Sequence, residues 1–292
     1  VVGLAAGASD GKIAAYLWSD GKLHSAWSKH VGDHVCALTT VSGYVAAAIG
    51  HEVHTYAMEP HALTFRRPWD CAFVSSCLAS QGSTLVVGDA MHSLTVLTVA
   101  EDGRLSESAR DLHPYWTSAV CVLDEEQQRY LGTDVAMNLF VAERAKGTEP
   151  ESPWSHVMRH AAACHVGDLV NAIHTLPGGR VMYATASGAL GTLVHVPEPV
   201  ARVLLCVQDA MIEVVPAPGD IPWESWRTSR TDTRTEPPHH ILDADVLRFF
   251  VSDPSVRSPC LDKAGSLAQA RDIPMAEMAE ERILQMLHAL LS

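Results

Sequence analysis

Nowhere in these 292 residues does an apolar run approach the roughly 20 residues a bilayer-spanning helix requires, and no signal-peptide pattern is present. The sequence therefore predicts no helical membrane span. Positive charge is also in deficit, with 34 Asp and Glu against 21 Lys and Arg and a formal net charge of -13. Non-specific nucleic-acid binding is largely neutralisation of phosphates by Lys and Arg, so the bulk surface is a poor match for a polyanion. Acidity suits solubility and protein partners better. Cysteine pairing motifs are missing as well: Cys36, Cys71, Cys77, Cys121, Cys164, Cys206 and Cys260 contain no CxxC, and most lie in apolar segments. They read as buried free thiols of a reducing compartment. Among 16 histidines, His239-His240 and Cys164-His165 are adjacent pairs without the spacing of a zinc site, so neither metal nor cofactor is expected.

What is present is a repeated grammar. An apolar strand ends in a small-residue turn, and a second apolar strand follows. The instances are Ala5 to Gly11 into Ile13 to Trp18, Val45 to Gly50 into Val53 to Met58, and Leu85-Val86-Val87-Gly88-Asp89 into Leu94 to Val99. Leu131-Gly132-Thr133-Asp134 into Met137 to Val141 and Tyr183 to Gly188 into Leu190 to Val196 complete the series. The spacing of roughly 40 residues is that of a propeller blade. A four-stranded blade cannot bury both faces alone, so the units must stack radially. The glycines are expected where a tight hairpin needs positive φ. With 47% hydrophobic and 19% charged residues, the chain can build one large or two modest domains. The fold expected is mainly β: a partial β-propeller over residues 1–196, followed by a small α-helical C-terminal domain over 197–292. Because strand pattern begins at once and no start methionine precedes it, the sequence reads as a fragment cut inside a larger propeller.

In order, residues 1 to 29 predict a hairpin with Ser19-Asp20-Gly21-Lys22 at its turn. Val35 to Thr40, Tyr44 to Ile49, Val53 to Met58 and Leu63 to Arg66 make one four-strand unit. Cys71 to Ala79, Thr84 to Val87, Leu94 to Val99 and Leu105 to Arg110 make the next. A third holds Ser118 to Leu123, the strand ending at Asp134, Ala136 to Val141, and a strand within Val157 to Ala163. Before that last strand comes a polar insert, Glu143 to Trp154, expected to be a flexible surface loop. His165 to Ile173 begins the final unit. There Asp168 and Asn171 are read either as bonding nearby backbone or as lining the propeller mouth. Trp116, after His113-Pro114-Tyr115, is either a structural wedge or an interface anchor.

Helical spacing of Val200, Val203, Leu204, Val207, Met211 and Val214 predicts a helix from Pro199 to Pro216. Trp223, Trp226, Arg227, Arg230 and Arg234 could stack bases, but the interspersed Glu224, Asp232 and Glu236 favour packing against the helix. Asp243 is expected to cap a helix from Ala244 to Val251. Pro254 to Ser266 reads as irregular, and Pro274 as the opening of a final helix striped by Met275, Met278, Ile283, Met286, Leu287 and Leu290.

Several of these segments together resemble a known family. Val87-Gly88-Asp89-Ala90-Met91, Ala109-Arg110-Asp111-Leu112-His113-Pro114 with Trp116 and Ser118-Ala119-Val120, Leu131-Gly132, and Asn138-Leu139-Phe140-Val141 come first. His165 to Asn171, Trp226-Arg227 and Arg234-Thr235-Glu236-Pro237 ahead of Ile241 to Phe250 follow in the same order. They are similar to the propeller adaptors of cullin-4 ubiquitin ligases, the large subunits of damaged-DNA-binding complexes. The wider superfamily includes the polyadenylation-factor A subunit and a splicing-factor subunit.

The resemblance implies three propellers and a helical domain, with this chain holding most of the last propeller and the helices. It implies a non-enzymatic scaffold of the nucleus and cytoplasm, serving DNA repair and protein ubiquitination. Its WD-repeat substrate receptors would insert a helix or loop between the first and third propellers. Cullin would be met only through the middle propeller, which lies outside this chain. Receptor-contacting positions carried over are Trp116 and Asn171, identical to the family pattern, and Val74, Ser76, Cys77, His92, Leu169 and Ala186, which differ from it in type. The runner-up is a scaffold in messenger-RNA cleavage, polyadenylation or splicing that binds RNA-processing subunits or RNA. A propeller enzyme would need convergent acids or metal ligands, and the strand ends here offer Gly, Ser, Thr and isolated Asp. No catalytic residue is expected.

Overall fold

The computed structural model describes residues 2–7, 11–59, 62–144 and 156–291. The polar insert expected to be a surface loop lies almost wholly outside them, as does most of the first small-residue turn.

Every unit is an up-and-down antiparallel sheet. The first has three strands, β1 (Val2–Gly7), β2 (Lys12–Ser19) and β3 (Lys22–His30). Its β2–β3 turn is the one expected, with Asp20 and Gly21 both at positive φ as a two-residue hairpin of the favoured twist requires. Three four-stranded sheets follow: β4 (Val35–Val41) to β7 (Ala62–Asp70) with β5 (Tyr44–Ile49) and β6 (Glu52–Glu59) between; β8 (Ser75–Gln81), β9 (Thr84–Asp89), β10 (Leu94–Val99), β11 (Leu105–Arg110); and β12 (Thr117–Asp124), β13 (Arg129–Asp134), β14 (Asn138–Arg144), β15 (Met158–His165). The fifth sheet has three strands, β16 (Val170–Thr175), β17 (Val181–Thr185) and β18 (Leu190–Leu193).

The sheets pack face to face. Successive residues of a strand point to opposite faces, so a strand between two neighbouring sheets must be apolar on both. In β9, Val86 enters the core shared with the β12–β15 sheet, while Leu85 and Val87 enter the core shared with the β4–β7 sheet. In the β12–β15 sheet, Phe140 faces one neighbour and Leu131 and Leu139 face the other. Each pair of adjacent sheets therefore has its own core, and the first strands β4, β8, β12 and β16 lie side by side. This radial arrangement makes the strand-rich part a partial β-propeller.

The turn glycines divide into two kinds. Gly50 and Gly188 have positive φ, as expected, but Gly88 and Gly132 do not. They are strand residues where space is missing: a Cβ at Gly132 would run into the Phe140 ring, and one at Gly88 would meet Cys77 Sγ. Close packing, not turn geometry, dictates glycine there.

The helical segment starts as expected with α1 (Glu198–Val214). A short α2 (Trp223–Arg227) and the two-stranded β19 (Ser229–Arg230) and β20 (Thr235–Glu236) lead to α3 (Ala244–Ser252), which Asp243 caps through Asp245 N–H at 2.9 Å. The reading of Pro254 to Ser266 as irregular is overturned: a 3-10 turn at Pro254–Val256 runs into α4 (Arg257–Ala270). Its buried positions are Cys260, Ala264 and Ala268, small residues at successive four-residue steps that fit against α1 without forming a strong apolar stripe. The last expected helix is two pieces, a 3-10 turn at Met275–Met278 and α5 (Glu280–Leu291), with Met275 outside the core. Leu204, Val207, Met211, Leu247, Phe250, Ile283 and Leu287 fill this helical core. No described helix is long and apolar enough to cross a membrane.

All seven cysteines are free; four are buried as whole residues, Cys71 and Cys77 are half-buried residues, and Cys36 is exposed, so the expectation of buried thiols fails for Cys36. Burial pushes the thiols of Cys121 and Cys260 up to about 11, which keeps them protonated at neutral pH.

Candidate docking rim

One backbone tie recurs at the same end of four sheets. The residue preceding each first strand offers its carbonyl to the turn between the second and third strands: His34 O accepts from Gly50 N–H at 3.1 Å, Val74 O from Ala90 at 3.0 Å, Trp116 O from Val135 at 3.0 Å and Leu169 O from Ala186 at 2.8 Å. Val74, Trp116 and Leu169 are thus equivalent positions on consecutive sheets. Ala90, Val135 and Ala186 are their partners.

Acceptor side chains at the ends of the second strands hold these turns. Asp89, almost fully buried, accepts from Met91 N–H at 2.7 Å, His92 N–H at 3.0 Å and Phe73 N–H at 2.8 Å. Asp134 does the same for Asn138, accepting from its backbone and its side-chain amide, both at 2.9 Å. Burial raises the Asp134 carboxyl above its ordinary value despite these bonds. In the fifth sheet Thr185 takes this place, accepting from Ala189 N–H at 3.1 Å. Serine hydroxyls then lace the first strands together. Ser76 Oγ donates to Thr117 O and Ser118 Oγ to Val170 O, each at 2.7 Å.

The eight positions expected to meet a receptor sort accordingly. Trp116 (57% exposed) and Val74 (37%) stand out from the rim. His92 and Ala186 are exposed on the two flanking turns, and Asn171 is exposed one residue into β16. Leu169 is half-buried at the rim. Ser76 and Cys77 lie inside β8, where the hydroxyl is committed to Thr117 O and the thiol packs beneath Gly88. Burial pushes that thiol up to about 12. The structure therefore brings six of the eight to one end of three adjacent sheets and places the other two in the wall that supports them.

Geometry bears on two of the alternatives left open by the sequence. Tyr115, not Trp116, is the wedge: Tyr115 is buried, its ring centroid 5.1 Å from Phe140 and 5.3 Å from His160. Asp168 bonds locally, accepting from Leu169 N–H at 2.8 Å, and hydrogen bonds from Thr185, Ser187 and Leu169 hold its carboxyl below the ordinary value. Sequence reasoning missed the exposed apolar residues that widen the rim, Phe73, Met91, Leu112, Val135 and Met137. Each sits beside a strand end in a turn, and an apolar residue where turn chemistry favours polar ones is the signal that marks them.

Radial antiparallel sheets, first strands laced by serine hydroxyls and a half-apolar rim define a partial β-propeller joined to a small helical segment. The model of the CPSF A subunit region matches residues 5–252, and the chain belongs to that family. It is similar to DNA damage-binding protein 1a of Arabidopsis thaliana, 27% identical over 260 residues that cover 82% of this chain and 24% of the relative. DNA damage-binding protein 1 of Solanum lycopersicum is 27% identical over 277 residues, covering 88% of this chain and 25% of the relative. The Drosophila melanogaster protein of the same name is 27% identical over 258 residues, 82% of this chain and 22% of the relative. The chain spans about a quarter of the length of the curated relatives it matches.

Proposed function

We propose that this chain is part of a non-enzymatic adaptor that presents substrate-receptor proteins to a cullin-4 ubiquitin ligase in DNA repair, in the nucleus and cytoplasm. Residues 1–196 serve as the C-terminal part of a propeller and 197–292 as its helical domain. Receptors of the WD-repeat type insert a helix or loop against the rim. The remaining propellers of the longer protein form the opposite wall, and cullin is met through one of them. The observation that carries this reading is the exposed Trp116 between the equivalent positions Val74 and Leu169 on three consecutive sheets. A half-apolar rim with one indole and the Asn171 amide suits recognition of an inserted helix, where a few anchors contribute most of the affinity. The similarity to DNA damage-binding proteins supports the same reading.

Trp116→Ala in the full-length protein is expected to weaken receptor binding by more than about 1 kcal/mol while circular dichroism is unchanged. Unchanged affinity in biolayer interferometry, or global unfolding, would count against the docking role. The family match favours one second reading, a scaffold of messenger-RNA cleavage, polyadenylation or splicing. A pull-down separates the two, since one predicts recovery of WD-repeat receptors and the other of RNA-processing subunits.

A further inference from the structure

Behind the rim, where β11 gives way to the Trp116 loop, three metal-competent side chains converge from two sheets. Asp111 follows the end of β11 and is fully buried. Its Oδ1 lies 2.5 Å from His113 Nδ1, and its Oδ2 lies 2.9 Å from His160 Nε2 of β15. All three donor atoms lie within 4.8 Å of one another.

The surroundings hold this set in place. Ser93 Oγ donates to Asp111 Oδ2 at 2.7 Å, and His113 N–H to Oδ1 at 3.2 Å, fixing the carboxylate. The His113 and His160 rings are 4.0 Å apart between centroids, and His160 stacks on Phe140 at 4.8 Å and 18°.

His160, only 3% exposed, has Nδ1 buried with no hydrogen-bond partner among the described residues. Two imidazoles and one carboxylate form the N,N,O donor set that suits borderline divalent ions, zinc foremost. His113, 26% exposed, gives the set an edge open to solvent, from which a metal can enter and water can complete a fourth position.

We propose that Asp111, His113 and His160 bind one Zn²⁺, with three protein ligands and one water, tying β15 and the Trp116 loop to the end of β11.

The test uses the full 292-residue chain stripped with chelator, and Zn²⁺ and Co²⁺ as probes. One equivalent of Zn²⁺ is expected to bind in calorimetry with release of protons and a rise in Tm. Co²⁺ is expected to give the visible d–d absorption of a low-coordinate site. His113→Ala, at the exposed edge, is expected to weaken Zn²⁺ binding at least tenfold and abolish the Co²⁺ bands with an unchanged circular dichroism spectrum. His51→Ala serves as control, because His51, Glu52 and Asp70 form a second, more exposed group of potential ligands. It should leave binding unaltered. Absence of stoichiometric binding, persistence of the Co²⁺ bands in His113→Ala, or their loss in His51→Ala would each overturn the assignment. Should His113→Ala unfold, His113→Gln and Asp111→Asn provide the same readout by the same criteria.

Discussion

Asp243→Ala is expected to destabilise the protein by about 3 kcal/mol, read as a fall in the urea midpoint at constant m-value. One carboxylate here ties α2 to the start of α3. Oδ2 accepts from Arg227 Nε at 2.7 Å and from Trp223 Nε1 at 2.8 Å, while Oδ1 caps α3 through Asp245 N–H. The Asp243 backbone N–H donates to Gln208 Oε1 of α1 at 2.6 Å, so cap and first helix are held in register. Arg227 reaches on toward His165 O at 3.5 Å, at the end of β15, joining the helices to the propeller. Losing a helix cap costs about 1 kcal/mol. Stranding the cation of a buried pair costs about 3–5 kcal/mol, and the solvent reaching Arg227, with Asp245 still 3.6 Å from its guanidinium, brings this term to the low end or below. Asp243→Asn keeps the cap acceptor and removes the charge, so its loss is expected to be smaller.

Acid should erase that difference. Burial pushes the Asp243 carboxyl up, but the hydrogen bonds from Arg227 and Trp223, with the guanidinium charge, outweigh it and hold the folded pKa below the ordinary value. A depressed folded pKa contributes stability above the unfolded value of about 3.9, and that contribution is lost as pH falls through the folded one. The gap between wild type and Asp243→Asn is therefore expected to be constant from about pH 8 to pH 5 and to narrow below about pH 4. A gap that instead opened on acidification would show that the carboxylate is destabilising when ionised.

The sheets could be read from residue order because burial on both faces leaves a strong mark. Val45 to Ile49 and Leu85 to Val87 are apolar without alternation, which a strand sandwiched between sheets demands. The helices α1 and α3 carried their own stripes and caps. α4 did not, since Cys260, Ala264 and Ala268 bury little apolar surface each and look like loop composition. The start of β8 was misplaced to Cys71 for the opposite reason: Phe73 and Val74 are apolar but belong to the exposed rim. Local pattern says that a residue is apolar, not whether a neighbouring sheet or solvent faces it. The Asp111, His113 and His160 cluster was beyond reach altogether, because 49 residues separate Asp111 from His160 and they meet only where the end of β11 bridges to the chain entering β15, Arg110 N–H donating to His156 O at 2.7 Å. The equivalence of Val74, Trp116 and Leu169 was accessible, since each immediately precedes a first strand, but the tie that makes it structural runs through backbone groups common to every residue.

Phe140→Ala is expected to cost about 3–5 kcal/mol, the range for truncating a large aromatic in a close-packed core. Phe140 is fully buried between two sheets, with Val86, Val120, Val122 and Tyr130 in the same core and Tyr115 and His160 against its ring. Directly across the ladder stands Gly132, paired with Phe140 in register. The ring occupies the space a side chain at Gly132 would need, with two of its carbons 2.7 and 3.0 Å from an added Cβ. Gly132→Ala alone is therefore expected to destabilise by about 1–3 kcal/mol through overpacking, even though its backbone is one any residue can adopt. In the Phe140→Ala background the same methyl enters vacated space, and the loss of glycine's freedom in the unfolded chain favours alanine by about 0.4–1 kcal/mol. The double-mutant cycle is expected to return a favourable coupling of at least about 1 kcal/mol, measured by urea denaturation. Simple additivity would mean that the glycine is tolerated there and not required. The fifth sheet repeats the device, since Gly191 pairs with Tyr183 and a Cβ there would meet the tyrosine ring. A ring laid over a cross-strand glycine fills the interface without widening the strand spacing, so Gly132→Ala should disturb the fit of the β12–β15 sheet against its neighbour as well as the strand itself.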